Sequence, residues 1–254
     1  MFATLEVSVE GPIGRLWLNR PKRLNALSLE TLTELAAAAR WFDEQEGVRV
    51  VTVGGRGRAF SAGADLDGFP AAADARVRQA ADAGRLMAEA LEAMRAVTIA
   101  GIQGWCVGGG LVLAAACDLR IAADTARFSI PEIDLGIPLA WGGIPRLVRE
   151  IGPALTKELV ITCREFAPAE AQAAGFLNRV VDAAELEASV EALALQIAAK
   201  PALPVAATKS HVNAVTAQMV GAMRAWSDAD SLVGGLLDAE CIAARQAYAR
   251  SRGR

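Results

Sequence analysis

Three segments of the chain combine residue types and spacing suited to chemistry on a developing negative charge. In GWCVGGGLVLAAACDLR, Gly108, Gly109 and Gly110 open an apolar helix. A helix start presents unpaired N–H groups and a partial positive charge, and glycines remove the side chains that would keep a ligand away from them. In GRGRAFSAGADL, Gly63 and Ala64 leave a second backbone N–H open to a ligand, and PEIDLG supplies a carboxylate, Glu132. Two donors aimed at a carbonyl oxygen stabilise the enolate formed when a proton leaves the neighbouring carbon, each by roughly 3–4 kcal/mol. The carboxylate then carries the proton, and its apolar neighbours Ile133 and Leu135 are expected to raise its pKa toward that of a useful proton carrier.

Together with NRPKRLNALS, these segments in this order and spacing resemble the enoyl-CoA hydratase/isomerase, or crotonase, family, from about Leu5 to about Asn213. The resemblance implies an α/β fold: a spiral of ββα units over residues 1–195, then a C-terminal helical region, 196–254, that covers active sites and builds homotrimers, often paired into hexamers. It implies an acyl-CoA thioester substrate, with coenzyme A as part of that substrate and no separate cofactor or metal. The oxyanion donors it assigns are the N–H groups of Ala64 and Gly109, and the acid/base residue is Glu132. Expected substrate contacts are Arg23, Leu24, Ala26, Ala62, Asp65, Leu66, Trp105, Gly108, Val112 and Trp141. For Trp105 and Trp141, which would line the acyl pocket, burial in the core is the commoner role.

One position departs from the family pattern. Hydratases of the family carry a second glutamate two residues after the triple glycine, where this chain has Val112 in GGGLVL. Adding water across a conjugated double bond asks for one group to activate water at C3 and another to supply a proton at C2. Losing one such group typically costs about 10²–10⁴ in rate. Moving a double bond from C3 to C2 needs a single carboxylate, which takes a proton from C2 and returns it at C4, and an apolar Val112 keeps water from the dienolate. The expected activity is therefore Δ3,Δ2-enoyl-CoA isomerase, with 2-enoyl-CoA hydratase and a non-catalytic acyl-CoA binding protein as alternatives. Asp65, better suited to capping the next turn, Asp67 and Asp134 are the candidate replacement acids.

These groups need a frame. Residues 3–10 and 14–19 alternate and flank Gly11, Pro12 and Gly14, predicting a hairpin. Ser28 caps a helix over LETLTELAAAARWFDEQE, whose Leu29, Leu32, Leu35 and Ala39 recur at helical spacing before Gly47 ends it. Val48 to Val53 reads as a strand covered on both faces, residues 70–95 as a helix after a polar, entrance-like stretch, Val97 to Gln103 as a strand, Gly109 to Ala116 as a helix and Leu119 to Ala122 as a strand. From about Pro153 helical periodicity dominates, apart from a short strand at Asn178 to Val181. The Ala-, Leu- and Met-rich stretch Pro204 to Met223 suits a subunit interface and intramolecular core equally well.

Composition excludes other classes. The 254 residues are 53% hydrophobic with a formal charge of −3, which gives no electrostatic case for nucleic acid. A polyanionic substrate would need local cations. Lys22, Arg23, Arg56 and Arg58 are the candidates, and they serve equally well as solvated surface charges. Cys106, Cys117, Cys163 and Cys241 form no CxxC pair and have no histidine at metal-ligand spacing, so reduced thiols are expected. His211 lies far from every motif and reads as structural. The opening MFATLEVSVEG has neither the basic nor the apolar part of a signal peptide, and the glycine-led helix is too short to span a bilayer, so a cytoplasmic protein without membrane association is expected.

Overall fold

The computed structural model describes residues 2–65, 76–221 and 227–251. Strands β1 (Leu5–Glu10) and β2 (Ile13–Leu18) form the expected antiparallel hairpin, with Leu5 opposite Leu18. Helix α1 (Leu29–Glu44) follows, and its Ser28 side chain accepts the Thr31 N–H at 3.2 Å, a cap worth ~1 kcal/mol. The buried stripe runs through Leu32, Leu35, Ala39 and Phe42, while Leu29 is exposed. As the first helical residue, Leu29 sits at the free end of the stripe, so Phe42 takes the place assigned to it. The helix ends at Glu44, ahead of Gly47.

The sheet grows by parallel strands, β3 (Val50–Gly55), β4 (Val97–Ile102), β6 (Leu119–Ala123) and β8 (Arg179–Val181), in the order β1-β2-β3-β4-β6-β8. Both faces are covered. Val51, Val53, Ala100 and Ile102 join the main core with α1 and α2 (Val77–Glu92), whereas Val50, Ile99 and Ile121 meet Leu186, Val190, Leu193 and Ala194 of α6 (Leu186–Ala198). A strand with two apolar partners has no solvent face to mark with polar residues, which explains the unbroken β-branched run.

A second ladder turns the layers into a spiral. β5 (Trp105–Val107) pairs in parallel with β7 (Arg127–Ser129), and single-residue bridges extend this line through Leu27↔Ala64, Ser61↔Cys106 and Phe128↔Phe166. Each turn of the chain thus leaves one or a few residues in the second ladder before the next helix begins. That ladder carries the loops of the candidate site, and the sequence reading did not foresee it.

The last third is helical: α4 (Gly143–Thr162), α5 (Pro168–Ala173), α6, α7 (Ala202–Met219), α8 (Asp228–Leu237) and α9 (Ala239–Ser251). Helical structure begins at Gly143, ahead of the expected Pro153. Gly152 breaks α4 with φ 76° and ψ 166°, and Pro153 starts its second half, in keeping with a proline at a helix start. α8 packs on α2. α7 buries none of its residues, and Leu203, Val212 and Met219 lie in the open. Over Ala202–Met219 the intramolecular-core alternative is therefore corrected: α7 meets the body of the chain through polar contacts, with Lys209 Nζ donating to Ala96 O and Asp118 Oδ2 and Asn213 Nδ2 donating to Glu92 O. Residues 222–226 at its end, and residues 66–75 ahead of α2 where an entrance was expected, fall outside the described residues.

Candidate active site

The first wall of the site is the loop around Ala64. Asn25, buried in the left-handed region at φ 54°, anchors it: its Nδ2 donates to the carbonyls of Arg56 (2.9 Å) and Ala59 (2.8 Å), and its Oδ1 accepts from the Arg20 N–H. The buried Ser61 hydroxyl donates to Asn25 O at 2.9 Å and accepts the Gly63 N–H at 3.2 Å. In the Leu27–Ala64 bridge, Leu27 N–H donates to Gly63 O and Asp65 N–H donates to Leu27 O. Successive peptide groups of an extended chain point to opposite sides, so the Ala64 N–H faces away from Leu27. Among the described residues no acceptor takes it.

The second wall is the start of α3 (Gly109–Ala115), a seven-residue helix. Gly108 turns the chain into it at φ 48°, donates its N–H to Ser129 O, and accepts from Leu111 and Val112. The Gly109 and Gly110 N–H groups come too early in the helix to find a carbonyl within it, as at every helix start. The loops meet closely because both are bare of side chains. A Cβ on Gly63 would sit 2.8 Å from Val107 O and 3.6 Å from Gly109 N, and one on Gly110 would sit 2.8 Å from Ser61 Cβ. Ala64 and Gly109 are thus brought to one junction.

Glu132 completes the arrangement. It is 8% exposed, its Oε2 has no hydrogen-bond partner among the described residues, and its Oε1 lies where a Cβ of Gly108 would be. Desolvation pushes its pKa up to about 7, against a small opposing contribution from its own N–H. The expected direction is found with a different cause. Ile133 is 46% exposed and Leu135 half-buried, so the turn buries Glu132 against the glycine helix start, and its chain neighbours do not enclose it. Among the described residues no neighbouring charge contributes to the shift.

The other expected contacts fall into distinct settings. Leu24 and Ala62 are joined by a hydrogen bond from Ala62 N–H to Leu24 O, and Ala26 O accepts from the Arg20 guanidinium. Asp65 is buried, yet ion pairs to Arg20 (2.7 Å) and Arg23 (3.1 Å) outweigh its desolvation and hold its carboxyl below the usual range. It is engaged as the counter-ion of this loop. Trp105 packs its ring against the Arg127 guanidinium, and Val112 is fully buried with Cγ2 at Gly143. Trp141 is 6% exposed and lies on Gly109. Asp134 is exposed. Leu66 and Asp67 lie outside the described residues.

Of the candidate cations, Arg56 stacks on Trp17 at 4.3 Å and pairs with Glu6, while Lys22 and Arg58 are exposed. Among the described residues no three His, Cys, Asp or Glu side chains gather as a metal set. The residues that sequence reasoning missed are Asn25, Arg20 and Ser61, which shape the Ala64 loop. The NRPKRLNALS motif contained two of them, but only the left-handed backbone at Asn25 reveals their work.

Two unpartnered N–H groups at one junction and a buried carboxyl that titrates near neutrality can hold an enolate and move a proton. Comparison with known proteins agrees with this chemistry. The family description Enoyl-CoA hydratase/isomerase matches residues 9–233. A probable enoyl-CoA hydratase of Mycobacterium bovis is 37% identical over 213 residues, covering 84% of this chain and 82% of that one. A peroxisomal Delta(3,5)-Delta(2,4)-dienoyl-CoA isomerase of Arabidopsis thaliana is 32% identical, covering 82% of this chain and 81% of that one. The crystal structure of an enoyl-CoA hydratase/isomerase from Xanthobacter autotrophicus Py2 superposes with a TM-score of 0.89 at 28% identity, covering 100% of this chain and 95% of that one. Hydratase names prevail among the relatives. The chain belongs to the enoyl-CoA hydratase/isomerase, or crotonase, family.

Proposed function

We propose that the protein is a Δ3,Δ2-enoyl-CoA isomerase working with one acid/base residue. The observation that carries this reading is Val112, an apolar and fully buried residue at the helix position where hydration needs a second carboxylate. The family supports an acyl-CoA thioester as substrate. In the proposed reaction the thioester oxygen accepts from the Ala64 and Gly109 N–H groups, while Glu132 takes a proton from C2. Charge spreads over the dienolate and onto the oxygen, where each donor contributes roughly 3–4 kcal/mol of stabilisation. The protonated Glu132 then delivers its proton to C4, and the double bond rests between C2 and C3. A carboxyl with a pKa of about 7 serves both halves, since neither form is strongly disfavoured at neutral pH.

A second reading, 2-enoyl-CoA hydratase, is favoured by the names of the relatives. It requires another acid, and the candidates within the described residues are poorly suited: Asp65 is held by two arginines and Asp134 is exposed. A non-catalytic acyl-CoA binder would have no use for an unpartnered buried Glu132, whose burial costs stability. The proposal also takes coenzyme A as the only cofactor-like group, a cytoplasmic location, and a homotrimer or hexamer, to which the exposed apolar side chains of α7 lend support. The test is the near-ultraviolet absorbance of the conjugated thioester on mixing protein with a 3-enoyl-CoA. Absorbance should rise with the wild type and stay flat with Glu132→Gln. Equal rates for the two proteins would remove Glu132 from the reaction.

A further inference from the structure

Trp141 is tightly constrained. Its backbone lies in the left-handed region at φ 62°, and Gly142 follows at φ 69°. A bulky residue there is costly, on the scale that only a surrounding structure can impose. The surroundings do impose it. The Arg146 guanidinium donates to Trp141 O (3.4 Å) and Gly142 O (3.1 Å), Glu92 holds Arg146 at 2.6 Å, and Gly142 N–H donates to Asp228 Oδ2 at 2.8 Å. Room is made for the indole by two glycines on different helices. The five-membered part of the ring fills the place of a side chain at Gly84 of α2, and the six-membered edge fills the place of one at Gly109 of α3.

Gly109 is the oxyanion donor, and Gly108, whose Cα lies about 3.8 Å away across a trans peptide, carries the Glu132 carboxylate against it. The six-membered edge of Trp141 therefore lies against Gly109, as a rigid apolar surface packed between α2 and α3. We infer that Trp141 sets the size of the acyl group, closing the pocket behind a short, unbranched chain so that the substrates are short-chain acyl-CoA thioesters. This inference rests on the proposed placement of the thioester at Ala64, Gly109 and Glu132. A residue whose disfavoured backbone is held by Arg146 and Asp228, and whose ring is seated on Gly84 and Gly109, is a fixed surface, and a fixed surface rejects added methylenes where a flexible one would make way for them.

The test uses saturated thioesters, which bind without reacting and so separate this inference from the isomerase reading. Binding of butyryl-CoA and decanoyl-CoA is measured by titration calorimetry for the wild type, Trp141→Ala and Gly84→Ala. Burying extra methylenes ordinarily tightens binding steeply, yet the wild type is expected to bind decanoyl-CoA no more than threefold tighter than butyryl-CoA. Trp141→Ala should raise that ratio at least tenfold. Gly84→Ala, which displaces the indole without reaching the substrate, should change it too. A wild type that binds decanoyl-CoA a hundredfold tighter overturns the inference even if neither variant folds, as does an unchanged ratio in a folded Trp141→Ala. Failure of the wild type to isomerise any 3-enoyl-CoA would instead count against the proposed function alone.

Discussion

The carboxylate of Glu132 rests on the bare Cα of Gly108, its Oε1 occupying the place of a missing side chain while its Oε2 finds no partner among the described residues. The glycine that turns the chain into α3 thus also makes the seat of the proposed acid/base residue. A side chain at Gly108 would therefore both displace the Glu132 carboxylate and strain the turn.

Gly108→Ala is expected to lower kcat at least a hundredfold. The new Cβ collides with Glu132, and φ 48° with ψ −113° is a conformation alanine does not adopt readily. Steady-state kinetics should show a larger fall in kcat than rise in KM, since the displaced group is proposed to act in the chemical step.

Activity should follow the titration of Glu132. In the proposed reaction the unprotonated form takes the proton from C2, so kcat/KM should rise with pH through about 7 and then level. A pH profile of kcat/KM from 5 to 9 checks this. A profile that stays flat across that range would mean that another group carries the proton.

The same burial affects stability, with a sign that can be worked out. The folded pKa of about 7 lies above the ordinary 4.5, so the unfolded chain releases its proton first as pH rises. Stability is full below about 4.5 and falls until about 7, by on the order of 3 kcal/mol. Glu132→Gln removes this loss. Its midpoint in urea should exceed that of the wild type at pH 8 and match it at pH 4.

The brace under Trp141 should be sensitive to its anion. Arg146, 1% exposed, pairs with Glu92, which Arg149 also holds at 2.5 Å. Glu92→Gln leaves the Arg146 charge buried without its counter-ion and should cost about 3–5 kcal/mol in urea unfolding. Burial opposes the charge of Glu92, but the two arginines prevail and hold its carboxyl below the usual range. The wild type's advantage is therefore present above the ordinary carboxyl pKa and is lost as pH falls through the folded value.

Much of this frame was legible in the sequence because local chemistry repeats along it. Ser28 before a helical stripe, the β-branched run at Val50 to Val53 and the glycines at Gly108 to Gly110 each announce themselves within a few residues. The second ladder does not. Leu27, Ser61, Ala64, Cys106, Phe128 and Phe166 come from five separate places and pair mostly one residue at a time, so they leave no periodic signal. The raised pKa expected for Glu132 from its apolar neighbours has another source in the fold: Ile133 turns outward, and the enclosure comes from residues distant in sequence. Trp141 was expected either at an acyl pocket or in the core, and its left-handed backbone depends on Arg146 and Asp228, which only the folded chain brings to the turn.

The most direct test of a single-carboxylate isomerase compares two reactions of one protein preparation. Isomerisation of a short 3-enoyl-CoA and hydration of the matching 2-enoyl-CoA are followed by product chromatography under the same conditions. For a single-carboxylate isomerase, kcat/KM for isomerisation should exceed that for hydration by at least a hundredfold, with both lost in Glu132→Gln. Hydration equal to or faster than isomerisation would contradict it, and would mean that a second acid does the work for which Val112 is unsuited.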